Sequence, residues 1–460
     1  MSPSLLLVVL LATACVSPDV DARAAEDVLG TWNGTAVFRG QPLPVSLRFE
    51  RVNGLLRGTF SAPDIALLDQ PLTDVAHDSS RVYFTIDDGD GALVFRGRQT
   101  GDTLAGSATL SSIVAAREGA STMSWRVVRS GAVTAPAPYA TRELKIAAQG
   151  ATLAATLFIP RNSRGRAPAV LLLQGSSTNL RSDYRFYADR FARAGFVVLA
   201  FDKRGNGEST GDYRRASYDD LVFDAREAFD TLAAQPEVDG RRVGLWGLSQ
   251  GAFLAPRVAE HLAVPPAFVV AVSSPGMPIS ESAAHQHSLR VAWRRFGEAA
   301  AARAAATNRA LGQALRVHRS AGDVSALLAG VATEPWRTHT SIPVNAPTAD
   351  ELRGWYWYGR TLDPVEWWRR LRVPVLLVYG ESDELVPARE SAVRLERALR
   401  AAGHPDVTVR IYPGTNHVIK LVASPLAPAG TSWSWPVLAP GYLNGVVEWM
   451  RSRSALKDRD

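Results

Sequence analysis

A serine held between two glycines, Gly247-Leu-Ser249-Gln-Gly251, is the first arrangement in this 460-residue chain that could do chemistry. An apolar strand pattern, Val243-Gly-Leu-Trp246, precedes it, and a helical stretch from Gln250 follows. On so sharp a strand-to-helix turn the serine backbone is strained, its neighbours must be small, and Oγ projects outward. The helix that starts behind the serine aims its first amide N–H groups at the same spot. Such a serine suits a nucleophile; a tight turn with a buried serine is the plain alternative. Other candidates are weaker. Asp87-Asp-Gly-Asp-Gly91 suggests a calcium loop, yet a loop starting at Asp88 needs a glutamate where Gln99 stands, so a hairpin turn is the better reading. His285-Gln-His287 could be a metal pair on a strand, but it lies in helical texture without a third ligand nearby and reads as solvated surface.

Two textures must position these residues. From Gly30 to about Arg129 short strands alternate in hydrophobicity, as in Val45-Ser-Leu-Arg-Phe49 and Val82-Tyr-Phe-Thr-Ile86, with Asn53-Gly54 marking a hairpin turn. This predicts a small antiparallel all-β domain, barrel or sandwich, over 26–130. The small-residue, proline-bearing stretch 131–139 reads as a linker. From 140 to 455 continuously apolar strands (Ala169–Leu173, Phe196–Phe201, Phe268–Val272, Val373–Val378, Val407–Ile411) alternate with amphipathic helices. Ser217 is the expected N-cap of one of them. That rhythm predicts an α/β domain whose mostly parallel sheet has helices on both faces. A helical insertion at 276–371 interrupts it and reads as a cap. It holds six of the twelve tryptophans: Trp293, Trp336, Trp355, Trp357, Trp367 and Trp368.

Three further stretches make residues 140–455 resemble the α/β-hydrolase superfamily. Asp202-Lys-Arg204-Gly-Asn-Gly207-Glu-Ser209 is similar to its D-x-R-G-x-G-x-S loop after the fourth strand. Gly380-Glu-Ser-Asp383-Glu-Leu-Val-Pro387 is similar to its G-x-x-D-x-x-x-P after the seventh, and Tyr412-Pro-Gly-Thr-Asn-His417 to the turn carrying its histidine. The order Ser, Asp, His is the one this fold uses. The resemblance implies a triad. Ser249 would be the nucleophile, His417 would take and return its proton, and Asp383 would fix the imidazole tautomer and stabilise the imidazolium. Glu381 and Glu384 are neighbouring acids that could compete; the family spacing favours Asp383. The resemblance also implies an oxyanion hole formed by the backbone N–H groups of Gln250 and Ser176. The loop Gln174-Gly-Ser-Ser177 carries Gln174 where the family often has histidine, a change that spares the backbone donors. Losing one such donor typically costs about 2.7–4 kcal/mol.

Charge and composition narrow the function. Fifty-one Lys and Arg against 45 Asp and Glu give +6, but the basic residues are spread without a run of five or six, so no nucleic-acid footprint is expected. The one cysteine, Cys15, rules out an internal disulfide and a cysteine-cluster metal site. It follows the apolar run Leu5–Leu11, which fits the core of a signal peptide over 1–24 and is too short to span a bilayer. Two processings are open: lipidation at Cys15, which would attach the chain to a membrane, or cleavage after Ala14 or Ala24. Either implies export to a periplasmic or extracellular location. The expected function is a secreted serine carboxylesterase acting on a small-molecule ester through an acyl-serine, with no metal or organic cofactor. Export argues against coenzyme A thioesters. A serine peptidase or acyl thioesterase on the same triad, and a non-catalytic envelope-binding protein, are the alternatives. The cap aromatics could line an acyl pocket or simply hold the cap together.

Overall fold

A computed structural model describes residues 28–78, 80–87, 92–110, 120–131, 136–162, 165–317, 320–348, 351–422 and 433–454. The apolar leader with Cys15 and the Asp88–Gly91 turn lie outside the described residues. The chain divides into two compact units: residues up to Ser61 with Gln70–Val133, and Ala62–Asp69 with Thr134 onward.

The first unit is built on one antiparallel sheet of nine strands: β1 (Gly30–Phe38), β2 (Gln41–Val52), β3 (Leu55–Ala62), β4 (Leu67–Pro71), β5 (Thr73–Asp78), β6 (Arg81–Asp87), β7 (Ala92–Thr100), β8 (Thr103–Thr109) and β9 (Thr122–Arg129). Their order is β4-β3-β2-β1-β9-β8-β7-β6-β5. Alternation puts Leu43, Val45, Leu47 and Phe49 of β2 inside, with Val82, Phe84 and Ile86 of β6 and Met123, Trp125 and Val127 of β9. The sheet curls onto itself: Phe49 meets Phe84 at 6.1 Å between ring centroids and Phe60 meets Phe95 at 5.9 Å, although these strands lie far apart in the sheet order. At the β2–β3 hairpin Asn53 (φ 52°) and Gly54 (φ 80°) take the left-handed conformations that a tight turn of matching twist requires.

The second unit holds an eight-stranded sheet: β10 (Tyr139–Ala148), β11 (Ala151–Pro160), β12 (Ala167–Leu173), β13 (Val197–Phe201), β14 (Val238–Leu248), β15 (Val269–Val272), β16 (Val375–Gly380) and β17 (Val407–Tyr412). The order is β10-β11-β13-β12-β14-β15-β16-β17; β11 pairs antiparallel on both sides and the strands from β13 onward run parallel. The continuous apolar runs are explained by two buried faces. In β12, Ala169, Leu171 and Leu173 join one core with α2 (Tyr218–Ala233), α3 (Gln250–Glu260) and α9 (Ala388–Ala401). Val170 and Leu172 join another with α1 (Arg185–Arg193) and α10 (Tyr442–Ser454). Each fully buried side chain of this kind contributes about 1.5–3 kcal/mol. Ser217 caps α2 as expected: its hydroxyl accepts from Asp220 N (3.1 Å), and the Asp220 carboxylate accepts from Ser217 N (2.8 Å). This architecture is an α/β-hydrolase domain.

Between β15 and β16 lie α4 (Ile279–Trp293), α5 (Glu298–Arg316), α6 (Ala321–Ala329), α7 (Trp355–Tyr358) and α8 (Val365–Arg370). They enclose a core of their own, in which Leu311, Leu315, Val324, Leu328, Trp336 and Trp357 are buried. Trp368 is buried in the main domain core. These three tryptophans therefore hold the insertion together and to the sheet. The segment Ala62–Asp69, which the sequence pattern did not set apart from the β-domain, belongs to the second unit. There Ala66 is buried, Arg185 pairs with Asp69 (2.8 Å), and the Ile65 carbonyl accepts from Lys420 Nζ (2.7 Å).

Candidate active site

All five sequence-predicted site residues follow the carboxyl ends of strands, where an open parallel sheet places its ligands. The register aligns those ends: Leu173 opposite Gly247, Leu248 opposite Val272, Val272 opposite Val378, and Gly380 opposite Tyr412. Ser176 follows β12, Ser249 follows β14, Asp383 follows β16 and His417 follows β17.

Ser249 sits at φ 54°, ψ −112°, an uncommon conformation for any residue with a side chain. The turn explains its glycines. A Cβ on Gly247 would lie 2.6 Å from Ala252 N, and one on Gly251 would lie 2.2 Å from the Leu173 carbonyl oxygen. Only hydrogen at Gly247 lets α3 start against the strand it leaves, and only hydrogen at Gly251 lets it pack on the end of β12. Ser249 N donates to the Val272 carbonyl (2.8 Å), and Ser273 Oγ donates to the His417 carbonyl (2.7 Å). The end of β15 thus anchors the serine on one side and the histidine on the other.

The acid is Asp383. Its Oδ2 lies 2.8 Å and its Oδ1 2.9 Å from His417 Nδ1, and Oδ1 also accepts from the N–H groups of Leu385 (2.8 Å) and Val386 (2.9 Å). The competing acids are occupied elsewhere: Glu381 pairs with Arg389, and Glu384 accepts from His417 N at 3.3 Å. Burial disfavours the charged imidazole of His417, but the charge and hydrogen bond of Asp383 and the charge of Glu384 outweigh it, so its pKa stands above its ordinary value of 6.5. With Nδ1 committed to Asp383, Nε2 is buried and has no hydrogen-bond partner among the described residues. A buried imidazole nitrogen without a partner can accept a proton.

The loop after β12 closes the other side. A Cβ on Gly175 would stand 3.7 Å from Ser249 Cβ, so this backbone abuts the serine. Gly175 N donates to Tyr184 Oη (2.8 Å), while the N–H groups of Ser176 and Gln250 have no acceptor among the described residues. Gln174 is buried, its amide bonded to the Phe201 carbonyl.

Several neighbours carried no sequence signal. Tyr213 Oη donates to the Ser176 carbonyl (2.8 Å), and Trp355 stacks on Tyr213 with centroids 5.1 Å apart, which brings the insertion to this loop. Lys203 Nζ donates to the Gly175 carbonyl of the same loop. The expectation that His285 and His287 form a solvated surface is corrected. His285 Nε2 lies 3.0 Å from the Asp383 carbonyl oxygen, while His287 is 1% exposed between Asn308 and Ser341. Two residues apart on a helix, they point in different directions. Burial, with Arg360, Arg290 and Arg337 nearby, pushes the His287 pKa down to about 3, so it is neutral. Among the described residues no three His, Cys, Asp or Glu side chains converge as a metal cage would need.

Residues 168–421, more than half of the chain and inclusive of Ser249, Asp383 and His417, match the family model described as serine aminopeptidase, S33 (Hydrolase_4). The chain belongs to that family. As a member of the S33 hydrolases it is 24% identical over 270 residues to Esterase EstD of Thermotoga maritima, covering 57% of each chain. It is 37% identical over 125 residues to Esterase FrsA of Pectobacterium atrosepticum, covering 26% of this chain and 29% of that one. This S33 chain spans between 26% and 57% of the length of these and other curated relatives it matches. Among solved structures, an esterase of Pyrococcus furiosus aligns with a TM-score of 0.42 at 18% identity, over 62% of this chain and 88% of that one.

Proposed function

We propose that the protein is a serine carboxylesterase. Ser249 Oγ attacks the ester carbonyl as His417 Nε2 takes its proton. The carbonyl oxygen becomes an oxyanion held by the N–H groups of Ser176 and Gln250. Collapse breaks the ester C–O bond, and the departing alcohol takes the proton from the imidazolium, leaving an acyl-serine. Water, deprotonated by His417, repeats the sequence and releases the acid. The observation that carries this reading is the buried Asp383–His417 pair with its free Nε2, anchored to the same strand end as the strained Ser249. The names of the EstD and FrsA relatives favour an ester over other acyl donors. A second reading, cleavage of an amino-terminal peptide bond on the same residues, is favoured by the description of the family model.

The test is turnover of p-nitrophenyl esters from acetate to palmitate, set beside amino-acid p-nitroanilides, with Ser249→Ala as control. Ester hydrolysis lost in Ser249→Ala supports the carboxylesterase. Anilide hydrolysis without ester hydrolysis supports the peptidase. Failure of both, with Ser249 unlabelled by a fluorophosphonate, overturns the enzyme and leaves the binding protein. We also propose export, tested by the mass of the mature amino terminus and by acyl labelling at Cys15.

A further inference from the structure

Lys203 is the one lysine in the loop after β13, and its surroundings are unusual for an ammonium. Its neighbours pin the backbone. The Asp202 carboxylate accepts from Arg181 N (2.7 Å) and Glu208 N (3.0 Å), and the Arg204 guanidinium grips both oxygens of Asp224 at 2.7 Å. Lys203 itself is 6% exposed, and among the described residues no carboxylate pairs with it. Its Nζ donates instead to the Gly175 carbonyl, to the Ser177 carbonyl (3.4 Å) and to Gln250 Oε1 (3.0 Å), and lies 4.6 Å from the centroid of the Tyr213 ring. Tyr213 Oη takes the remaining carbonyl of the loop, that of Ser176.

Three consecutive carbonyls, those of Gly175, Ser176 and Ser177, are thus turned toward one buried cluster. A trans peptide is planar, with its N–H opposite its C=O. Holding the Gly175 carbonyl on Lys203 therefore points the Ser176 N–H the other way, on a backbone that abuts Ser249. The same ammonium holds the side chain of Gln250, whose own N–H is the second proposed donor. An ammonium on a peptide oxygen also polarises that peptide and strengthens its N–H as a donor.

We propose that Lys203 is a positioning residue for the reaction: its ammonium locks the Gly175–Ser176 peptide and Gln250 so that both N–H groups meet the oxyanion. This rests on the serine-hydrolase reading above. The oxyanion exists only in the transition state and the tetrahedral intermediate, so the clamp acts on kcat rather than on substrate binding. Burial without an acid pulls the pKa of Lys203 down to about 7, and the neutral amine still has two N–H groups to donate. A cavity of about 30 Å³ beside Lys203, bounded also by Gln174, Gln250 and Leu254, gives a longer side chain room.

The experiment compares wild type, Ser249→Ala, Lys203→Met and Lys203→Arg on p-nitrophenyl butyrate. The second readout is inhibition by phenylboronic acid, which becomes tetrahedral on an active serine and mimics the oxyanion. Lys203→Met should lower kcat about 10–100-fold, less than the loss of a whole donor, keep KM within about threefold, and weaken boronate binding by the same factor as kcat. Lys203→Arg, which keeps a cation and its donors, should recover most of the loss. The clamp is overturned if Lys203→Met keeps kcat within about twofold, if kcat falls while boronate affinity does not, or if Lys203→Arg is no better than Lys203→Met in a folded protein. If the wild type neither turns over the ester nor binds the boronate, the serine-hydrolase reading fails first, and the clamp with it.

Discussion

The two sides of the site are built from opposite electrostatics. On the histidine side carboxylates surround one histidine: Asp383 binds Nδ1 of the ring and Glu384 accepts the backbone N–H. On the lysine side, the buried Lys203 has carbonyl oxygens and an amide oxygen around it and, among the described residues, no acid. The first arrangement would stabilise the imidazolium that the proposed reaction forms. The second destabilises the folded state, because an unpaired buried ammonium is costly, and in the proposed clamp it fixes the donors that would meet the oxyanion.

The largest effect that would break this comparison lies on the histidine side. Asp383→Asn keeps the shape but leaves the imidazole in the wrong tautomer, so kcat should drop about 10⁴-fold with KM little changed, read by steady-state kinetics. A drop below about tenfold would mean that another acid carries the role.

Next is stability on the lysine side. In the native state Lys203 loses its proton near pH 7, against an ordinary value of 10.5. Between those values the unfolded chain binds the proton and the folded one does not, so stability rises with pH; below about 7 the penalty is complete, on the order of a few kcal/mol. The difference in unfolding free energy between wild type and Lys203→Met should therefore move in favour of the wild type from pH 7 to 10. Denaturant melts across that range check it, and a flat difference would deny that the ammonium is unpaired. Tyr213 does not titrate in that window, because burial pushes its pKa far up.

A smaller effect belongs to the cap. Trp355→Ala removes the ring stacked on Tyr213 and the Nε1–H bond to its carbonyl (3.1 Å), which should lower kcat about three- to tenfold by loosening the Ser176 loop. The smallest effect is that of Glu384→Gln. Removing one anion lowers the pKa of His417, and the free base is the active form, so the acid limb of kcat/KM should move to lower pH by less than about one unit.

The turns that carry Ser249, Asp383 and His417 were legible in the sequence and the surroundings of Lys203 were not, for physical reasons. Gly247 and Gly251 are forced because a Cβ there would stand 2.6 Å and 2.2 Å from backbone atoms, and such constraints leave a fixed pattern around Ser249. Asp383 and His417 stand at set distances after strand ends, so the resemblance reached them. Lys203 occupies an unconstrained position of the D-x-R-G loop, and nothing in its spacing says that it is buried. Tyr184 and Tyr213 reach the Gly175–Ser177 backbone only through the fold. The antiparallel and parallel sheets followed from their hydrophobic periods. The excursion Ala62–Asp69 did not, because eight residues without a period carry no signal of what they pack against. His287 was misread because a helix placed in a cap does not reveal which face meets its partner.

The most direct test of the central claim is to trap the acyl-serine. Wild type mixed with excess p-nitrophenyl acetate, quenched in acid within the first turnovers and digested, is compared with Ser249→Ala by peptide mass spectrometry. The account predicts one added acetyl group on the peptide containing Ser249, accompanied by a burst of p-nitrophenol and absent from the variant. An acetyl group on another residue, or steady turnover that persists in Ser249→Ala, would contradict it.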